Sequence, residues 1–279
     1  MLLTAAVILL LLGTAPVRNP DSLPRELGHS TVLLAGTDQD GYRTDTILLV
    51  SLARGEPVRL LSIPRDTYVP NYTSHKINAV YGAAGGGSAG MELLMKEVGG
   101  LIGFEPDGYV LMNMDVVVRV VDLLGGVDYN VPQDMNYDDN AQNLHIHLAA
   151  GQQHLDGAQV IELLRFRSGY ADADIGRTAV QRDFLQAALK QWLTPSNLKK
   201  LPDLLALYRS EGVTADLSFR NLMWIARVLV KADFRSAVTD DVLPGWADMV
   251  DGSSVYMVER TAAANLLREY NPYKQSEEN

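Results

Sequence analysis

Three short stretches hold the residues whose types and spacing could do chemistry. In GTDQDGYRTDT, residues 36–46, Asp38 and Asp45 stand at the two ends of a loop rich in Gly and Asp. Two carboxylates brought together across a short loop are the hard oxygen ligands that Mg²⁺ takes. The plain alternative is an exposed turn. In SIPRD, residues 62–66, Pro64 stops an apolar run because it has no N–H to donate, and Arg65 and Asp66 follow at once. This is either a salt bridge capping a strand or a site for an anion at the rim of a sheet. In LLRFRSGYADADIGRTAVQRDF, residues 163–184, Arg165 and Arg167 are two apart. On a helix they would diverge, whereas on extended chain they share a face. Gly169 and its polar neighbours predict that the helix ends here, so both guanidinium groups can aim at one ligand, and Arg is the bidentate partner of phosphate. Asp174, Gly176 and Arg177 then open a new helix, whose N-terminal N–H groups favour an anion. Gln181 lies one turn beyond Arg177 on the same side. The plain reading of this stretch is a solvated loop with i,i+4 pairs.

Positioning these groups requires strands that share an edge. TVLLAG (31–36), DTILLVSLA (45–53) and VRLLSI (58–63) read as strands, with RGEP (54–57) as the hairpin connection between the last two. If 45–53 and 58–63 pair antiparallel, residues 45 and 63 meet at one edge, so Asp45 and Arg65 come together. A loop of about eight residues favours the same hairpin arrangement between the first two strands. Asp38 then joins them. Beyond, KINAVYGAAGG (76–86) reads as a short helix, and 88–103 as a helix with Ser88 at its N-cap. GYVLMN (108–113) is a strand, and 114–127 a helix with Val117, Val120, Val121 and Leu124 on one face. VDYNVP (127–132) and LHIHL (144–148) are strands around a polar loop, and LDGAQVIELLRF (155–166) is a helix. Helices from about 177 to 193, at 195–209, 217–232 and 260–270, and a strand in SSVYMV, complete the order. Alternating strands and helices predict an α/β class, one sheet with helices on both faces.

Composition narrows the class. The 279 residues can bury a large core, and a net charge of −10 argues against a general nucleic-acid binder, which needs a basic face. Absence of cysteine removes disulfides, thiol catalysis and cysteine metal sites. Residues 1–17, MLLTAAVILLLLGTAPV, carry no charge and read as a membrane anchor, with a cleaved signal or a buried segment as alternatives. Residues 18–30 read as a linker, 31–272 as one catalytic domain and 273–279 as a flexible tail.

Some patterns are decoys. GGSAG (86–90) fits G-x-S-x-G, but a nucleophile elbow needs a preceding strand, and a helix and a glycine run stand there instead. The same glycines lack the Gly-Lys-Ser/Thr ending of a P-loop. His145 and His147 share a strand face as a metal pair would, yet no third ligand is evident in the sequence, so they read as solvent-facing or hydrogen-bonded.

Taken in order, GTD…RTDT, SIPRDTYV, KINAVY…GGG, DLLGGVDYNVP, GQQHLDGAQVIELLRFR and DADIGR…Q resemble the LytR-CpsA-Psr family of membrane-anchored bacterial envelope proteins, over residues 31 to about 195. The resemblance implies a three-layer α/β/α fold with a central mixed sheet behind an N-terminal membrane anchor, and an extracytoplasmic domain. It implies binding of a polyprenyl-pyrophosphate lipid in an apolar pocket, which the helices at 88–103 and 114–127 could line unless they are plain core. It implies transfer of a glycopolymer to peptidoglycan, with a phosphodiester formed and Mg²⁺ present. By position, Asp38 and Asp45 match the metal-associated carboxylates. Arg65, Arg165, Arg167 and Arg177 match the pyrophosphate-binding arginines, with Gln181 beside them. Asp174 matches the acidic residue among them and is a candidate base. Asp66 is expected to orient Arg65 or its loop. The family commonly carries Arg three residues after the position of Arg177, where this chain has Val180, with Arg182 nearby. A hydrolase using the same pocket, and a non-catalytic lipid- or glycan-binding or regulatory protein, are the competing readings.

Overall fold

The computed structural model describes residues 28–271, apart from 39, 141–143, 167–179, 181–182, 185–186, 189, 193, 195–196, 209–211, 218–220, 222–223, 226–227 and 229–237. Residues 1–27, where the anchor and most of the linker are expected, lie outside this set. Among the described residues no helix is long and apolar enough to cross a membrane.

The first three strands, β1 (His29–Thr37), β2 (Thr44–Ala53) and β3 (Val58–Ser62), form the expected antiparallel hairpins. They sit inside a six-stranded mixed sheet of order β10-β3-β2-β1-β4-β9. β4 (Gly108–Met112) runs parallel to β1, and β10 (Val238–Val242) parallel to β3, while β9 (Val213–Ala215) closes the far edge antiparallel to β4.

The sheet is buried on both faces, which is why its strands read as near-continuous apolar runs. Side chains alternate along a strand. Val32, Leu34, Leu48, Val50, Leu60 and Val110 therefore enter one core, and Leu33, Ala35, Ile47, Leu49 and Leu61 the other. The short connection α1 (Val80–Ala83) and the long helix α2 (Gly87–Ile102) cover the second face, α2 burying Met91, Leu94, Met95, Val98 and Ile102 at helical spacing. The N-cap of α2 is Gly86, and Ser88 lies within its first turn, one correction to the sequence reading.

The first face is covered by α3 (Met114–Leu124), α4 (Gly157–Arg165), helical residues between 180 and 192, and α5 (Leu201–Tyr208). Asn113 caps α3 by accepting from the Val116 N–H, and α3 stops at Gly125, whose φ of 95° suits glycine. Asp156 and Gln159 form a reciprocal capping box at the start of α4. Gly157 lets α4 lie against α3, since a Cβ there would stand 2.7 Å from the Val118 Cα and closer still to its carbonyl oxygen.

Residues 127–155 differ most from expectation. The polar stretch after β5 (Val127–Val131) contains a strand, β6 (Met135–Asp139), paired with β7 (Leu144–Leu148), and GQQHL forms β8 (Gly151–Leu155), paired with β5. The four strands make one long antiparallel ribbon in two halves, both burying apolar residues in the same core as α3 and α4. Near the C-terminus, β11 (Gly245–Val250) and β12 (Ser253–Val258) form a hairpin, followed by α6 (Arg260–Leu267). Tyr270, fully buried, donates its hydroxyl to the Leu60 carbonyl at 2.9 Å and to Asp241 at 2.7 Å, tying this end to the sheet.

Candidate active site

One edge of the sheet gathers the C-terminal ends of β1, β3 and β4 and the N-terminal end of β2. Asp45 occupies an irregular place there. Gly36 pairs with Thr46 and Thr37 with Thr44, so Asp45 is an extra residue in the ladder, a β-bulge. A bulge re-aims a side chain that regular alternation would send to one face or the other. The carboxylate so released accepts a 2.9 Å hydrogen bond from Arg65 Nη1, with the two side chains 23% and 32% exposed.

Arg65 is held from both sides. Pro64 starts a turn in which Thr67 donates its N–H and its hydroxyl to the Pro64 carbonyl. On one flank, Asn78 N–H donates to the Arg65 carbonyl and Ile77 N–H to that of Thr67. On the other, β12 adds as a short partner strand: Tyr256 N–H donates to the Asp66 carbonyl at 2.8 Å and Tyr68 N–H to that of Tyr256 at 2.9 Å. The KIN stretch therefore serves the site through its backbone, with Ile77 and Asn78 buried behind it. The Asp66 carboxylate stands 3.9 Å from Arg65 Nε and 3.2 Å from Lys76 Nζ. Arg65 Nε is buried and has no hydrogen-bond partner among the described residues. A buried guanidinium N–H left open in this way is suited to an incoming anion.

Asp38 has a different setting. Its Oδ1 accepts from the N–H groups of Tyr42 and Arg43 at 3.1 and 3.2 Å, and Asp38 N–H donates to the Arg43 carbonyl. The loop thus folds onto the carboxylate and fixes its direction. Next to the two aspartates, the hydroxyls of Thr37 and Thr44 are buried without partners among the described residues. No group of three or more His, Cys, Asp or Glu side chains among the described residues stands ready to hold a metal. Mg²⁺ does not need one, since it is held by one or two carboxylates together with substrate phosphates and water. Asp38 and Asp45 offer the hard oxygen donors for that arrangement.

Arg165 ends α4, half-buried, and makes no ion pair among the described residues. The chain turns extended at Phe166, as the sequence led one to expect. Arg167, Asp174, Arg177, Gln181 and Arg182 lie outside the described residues. Val180 is buried in the core beneath the first face of the sheet, so its side chain contributes apolar contact. The apolar stripes of α2 and α3 are likewise packed into the two cores.

Two cations escaped the sequence reading. Arg43 is exposed directly before β2, two residues from Asp45, and Lys76 pairs with Asp66. Their signals were present: an arginine within RTDT and a lysine opening KIN, each beside a residue already singled out. Together the edge carries Arg43, Arg65 and Lys76 against Asp38, Asp45 and Asp66, a balanced set able to take up a multivalent anion with a divalent cation.

Comparison with known proteins shows the family and the fold. The profile of the LytR_cpsA_psr family matches residues 17–271. A polyisoprenyl-teichoic acid–peptidoglycan teichoic acid transferase TagU of Oceanobacillus iheyensis is 29% identical over 250 residues, 85% of this chain and 74% of that protein. TagU of Bacillus cereus strain ATCC 14579 is 32% identical over 200 residues, covering 69% of this chain and 60% of that protein, so the chain spans less than two thirds of this relative. Among solved structures, protein gbs0355 of Streptococcus agalactiae superposes with a TM-score of 0.74 at 18% identity, covering 94% of this chain and 92% of that one. TagT bound to LIIa-WTA gives 0.68 at 21% identity, covering 91% and 94%. At such identities the structures speak for the fold.

Proposed function

The chain belongs to the LytR-CpsA-Psr family, and from that premise we propose that it is a phosphotransferase of the cell envelope. It moves a glycopolymer from a polyprenyl-pyrophosphate carrier to a sugar hydroxyl of peptidoglycan. The observation that carries this reading is the Arg65–Asp45 contact at the bulge, with Arg65 Nε left open in a backbone clamped on both flanks. Relatives named as teichoic acid transferases acting on peptidoglycan support the same substrate class.

In this mechanism Arg65 binds the diphosphate and offsets charge that grows on it as the bond to the lipid-side phosphate breaks. Arg165 joins it from the end of α4, with Arg167, Arg177 and Gln181 supplied by the segment after it. The acceptor hydroxyl attacks the sugar-side phosphorus in line, a phosphodiester forms, and lipid monophosphate leaves. Asp174 takes the hydroxyl proton. Asp45 holds the Arg65 guanidinium in register, and Asp66 balances Arg65 and Lys76. Mg²⁺, held by Asp38 and Asp45, would supply charge neutralisation on the diphosphate oxygens. The lipid tail would run along the apolar layer between the first sheet face and the helices that cover it. Residues 1–17 anchor the chain with the domain outside the cell.

The test is a reconstitution in detergent. A short glycan on a polyprenyl-pyrophosphate carrier is incubated with the protein, a peptidoglycan oligosaccharide and Mg²⁺, and the products are weighed by mass spectrometry. A joined glycan–phosphate–peptidoglycan product, dependent on Asp38 and on added Mg²⁺, is expected. Glycan phosphate and lipid phosphate released without joining would instead identify a hydrolase, and intact carrier that stays bound would identify a binding protein.

A further inference from the structure

The outer face of the β6–β7 hairpin has a chemistry that the phosphotransferase reading does not use. Asp138 and His145 are cross-strand partners, as are Asn136 and His147. Alternation along β7 buries Leu144, Ile146 and Leu148 and turns His145 and His147 outward together. Both imidazoles converge on one oxygen. Asp138 Oδ1 is 2.6 Å from His145 Nδ1 and 3.3 Å from His147 Nε2. The third ligand missing from LHIHL in the sequence is thus supplied from the opposite strand.

We propose that this face is a surface site for a divalent transition metal of the zinc class, ligated by His145 Nδ1, His147 Nε2 and the Asp138 carboxylate, with water completing the shell. Zinc–nitrogen and zinc–oxygen bonds of about 2.0–2.1 Å place neighbouring donors of a tetrahedron roughly 3.3–3.4 Å apart. The His147–Asp138 separation of 3.3 Å already has that value. The His145–Asp138 pair is a closed hydrogen bond at 2.6 Å. The three do not enclose an ion as they stand among the described residues, and binding moves the His145 ring proton from Nδ1 to Nε2, freeing Nδ1 for the metal, while these donors part by about 0.7 Å.

Two further features suit the site. A ligating histidine characteristically passes its other ring N–H to an oxygen behind it, which fixes the tautomer. His147 Nδ1 faces Asn136 Oδ1 at 3.5 Å. The strand itself is anchored, since the His147 N–H donates to Glu162 of α4 at 3.2 Å. Two imidazoles and one carboxylate favour zinc, copper or nickel over the hard ions Mg²⁺ and Ca²⁺. The neighbouring half of the ribbon provides an internal comparison. There His154 pairs with Asp128 at 2.7 Å, with no second imidazole.

The experiment uses the full chain in detergent, without a histidine tag and stripped with a chelator, titrated with ZnCl₂ by calorimetry and with CoCl₂ by visible absorption. One saturable equivalent is expected, with the intense Co²⁺ bands of four-coordination. His147→Ala and Asp138→Asn are expected to weaken binding at least tenfold, and Asn136→Ala by roughly tenfold as an outer partner. His154→Gln should leave binding unchanged. Thermal melts of each variant verify folding. The proposal is overturned by absence of uptake, by uptake that survives both His147→Ala and Asp138→Asn, or by uptake displaced by millimolar Mg²⁺.

Discussion

Replacing Arg65 separates two tasks that its geometry combines. The side chain is an ion-pair partner of Asp45 at 2.9 Å and, in the proposed reaction, a charge-stabilising group on the diphosphate. Arg65→Ala leaves Asp45 without its partner, but that carboxylate is 32% exposed and can be hydrated. The structural cost is therefore that of a half-solvated charged contact, about 1 kcal/mol. For a chain of this size such a loss lowers Tm by about 2–4 °C. The catalytic cost is of another order. An arginine that neutralises charge in phosphoryl transfer contributes roughly 10³–10⁵ in rate, about 4–7 kcal/mol. Arg65→Lys keeps the charge and loses the fork, so it should fall between Ala and wild type. The assay is initial rate of glycan transfer by mass spectrometry, beside a thermal melt of each variant. Asp45→Asn completes a cycle. If Asp45 acts solely through Arg65, the double variant is no slower than Arg65→Ala. If it also holds a metal, the losses multiply. An Arg65→Ala protein that keeps more than a tenth of wild-type kcat/KM, or one whose Tm falls by more than about 10 °C, would refute the reasoning.

Other parts of the fold make separate predictions. Gly157→Ala drives a methyl group into the Val118 backbone, so an overpacking cost of about 1–3 kcal/mol or more should appear in chemical denaturation, with α3 and α4 forced apart. Tyr270→Phe removes a hydroxyl that serves both the Leu60 carbonyl and Asp241, and a loss of about 1–3 kcal/mol is expected in the same measurement. Burial lowers the pKa of His29 to about 4, so the unfolded chain binds its proton first as the pH falls. Stability from this group is complete above about 6.5 and is lost between there and about 4. A plot of Tm against pH should be steeper over that window for the wild type than for His29→Gln.

The meeting of Asp45 and Arg65 was legible in the sequence because it needed two local facts, a tight RGEP connection and the alternation of buried strands. Hairpin logic then fixes which ends coincide. The parallel placement of β4 beside β1 and of β10 beside β3 was not legible, because each depends on strands separated by dozens of residues. β6 was hidden for another reason. MNYDD buries Met135 alone of its first four residues, so it lacks the apolar rhythm that marks a strand, and its order comes from pairing with LHIHL. β11 was hidden likewise, being exposed along nearly its whole length. The clamp on Arg65 left no trace in side-chain pattern, because it is made of backbone N–H and carbonyl groups from KIN and from Tyr256.

The extra residue in β2 behaves like a dislocation in a crystal row. On the sheet side of it, the phase of every side chain is dictated by two packed cores. Beyond it, Thr44 and Thr37 begin a new phase. The chain that follows Thr37 therefore carries a phase of its own. A change of phase there leaves Leu48 and Val50 on their faces. A deletion of one residue at 45 would heal the dislocation, keep both cores in phase and leave a well-folded protein that has lost its means of aiming a carboxylate at Arg65.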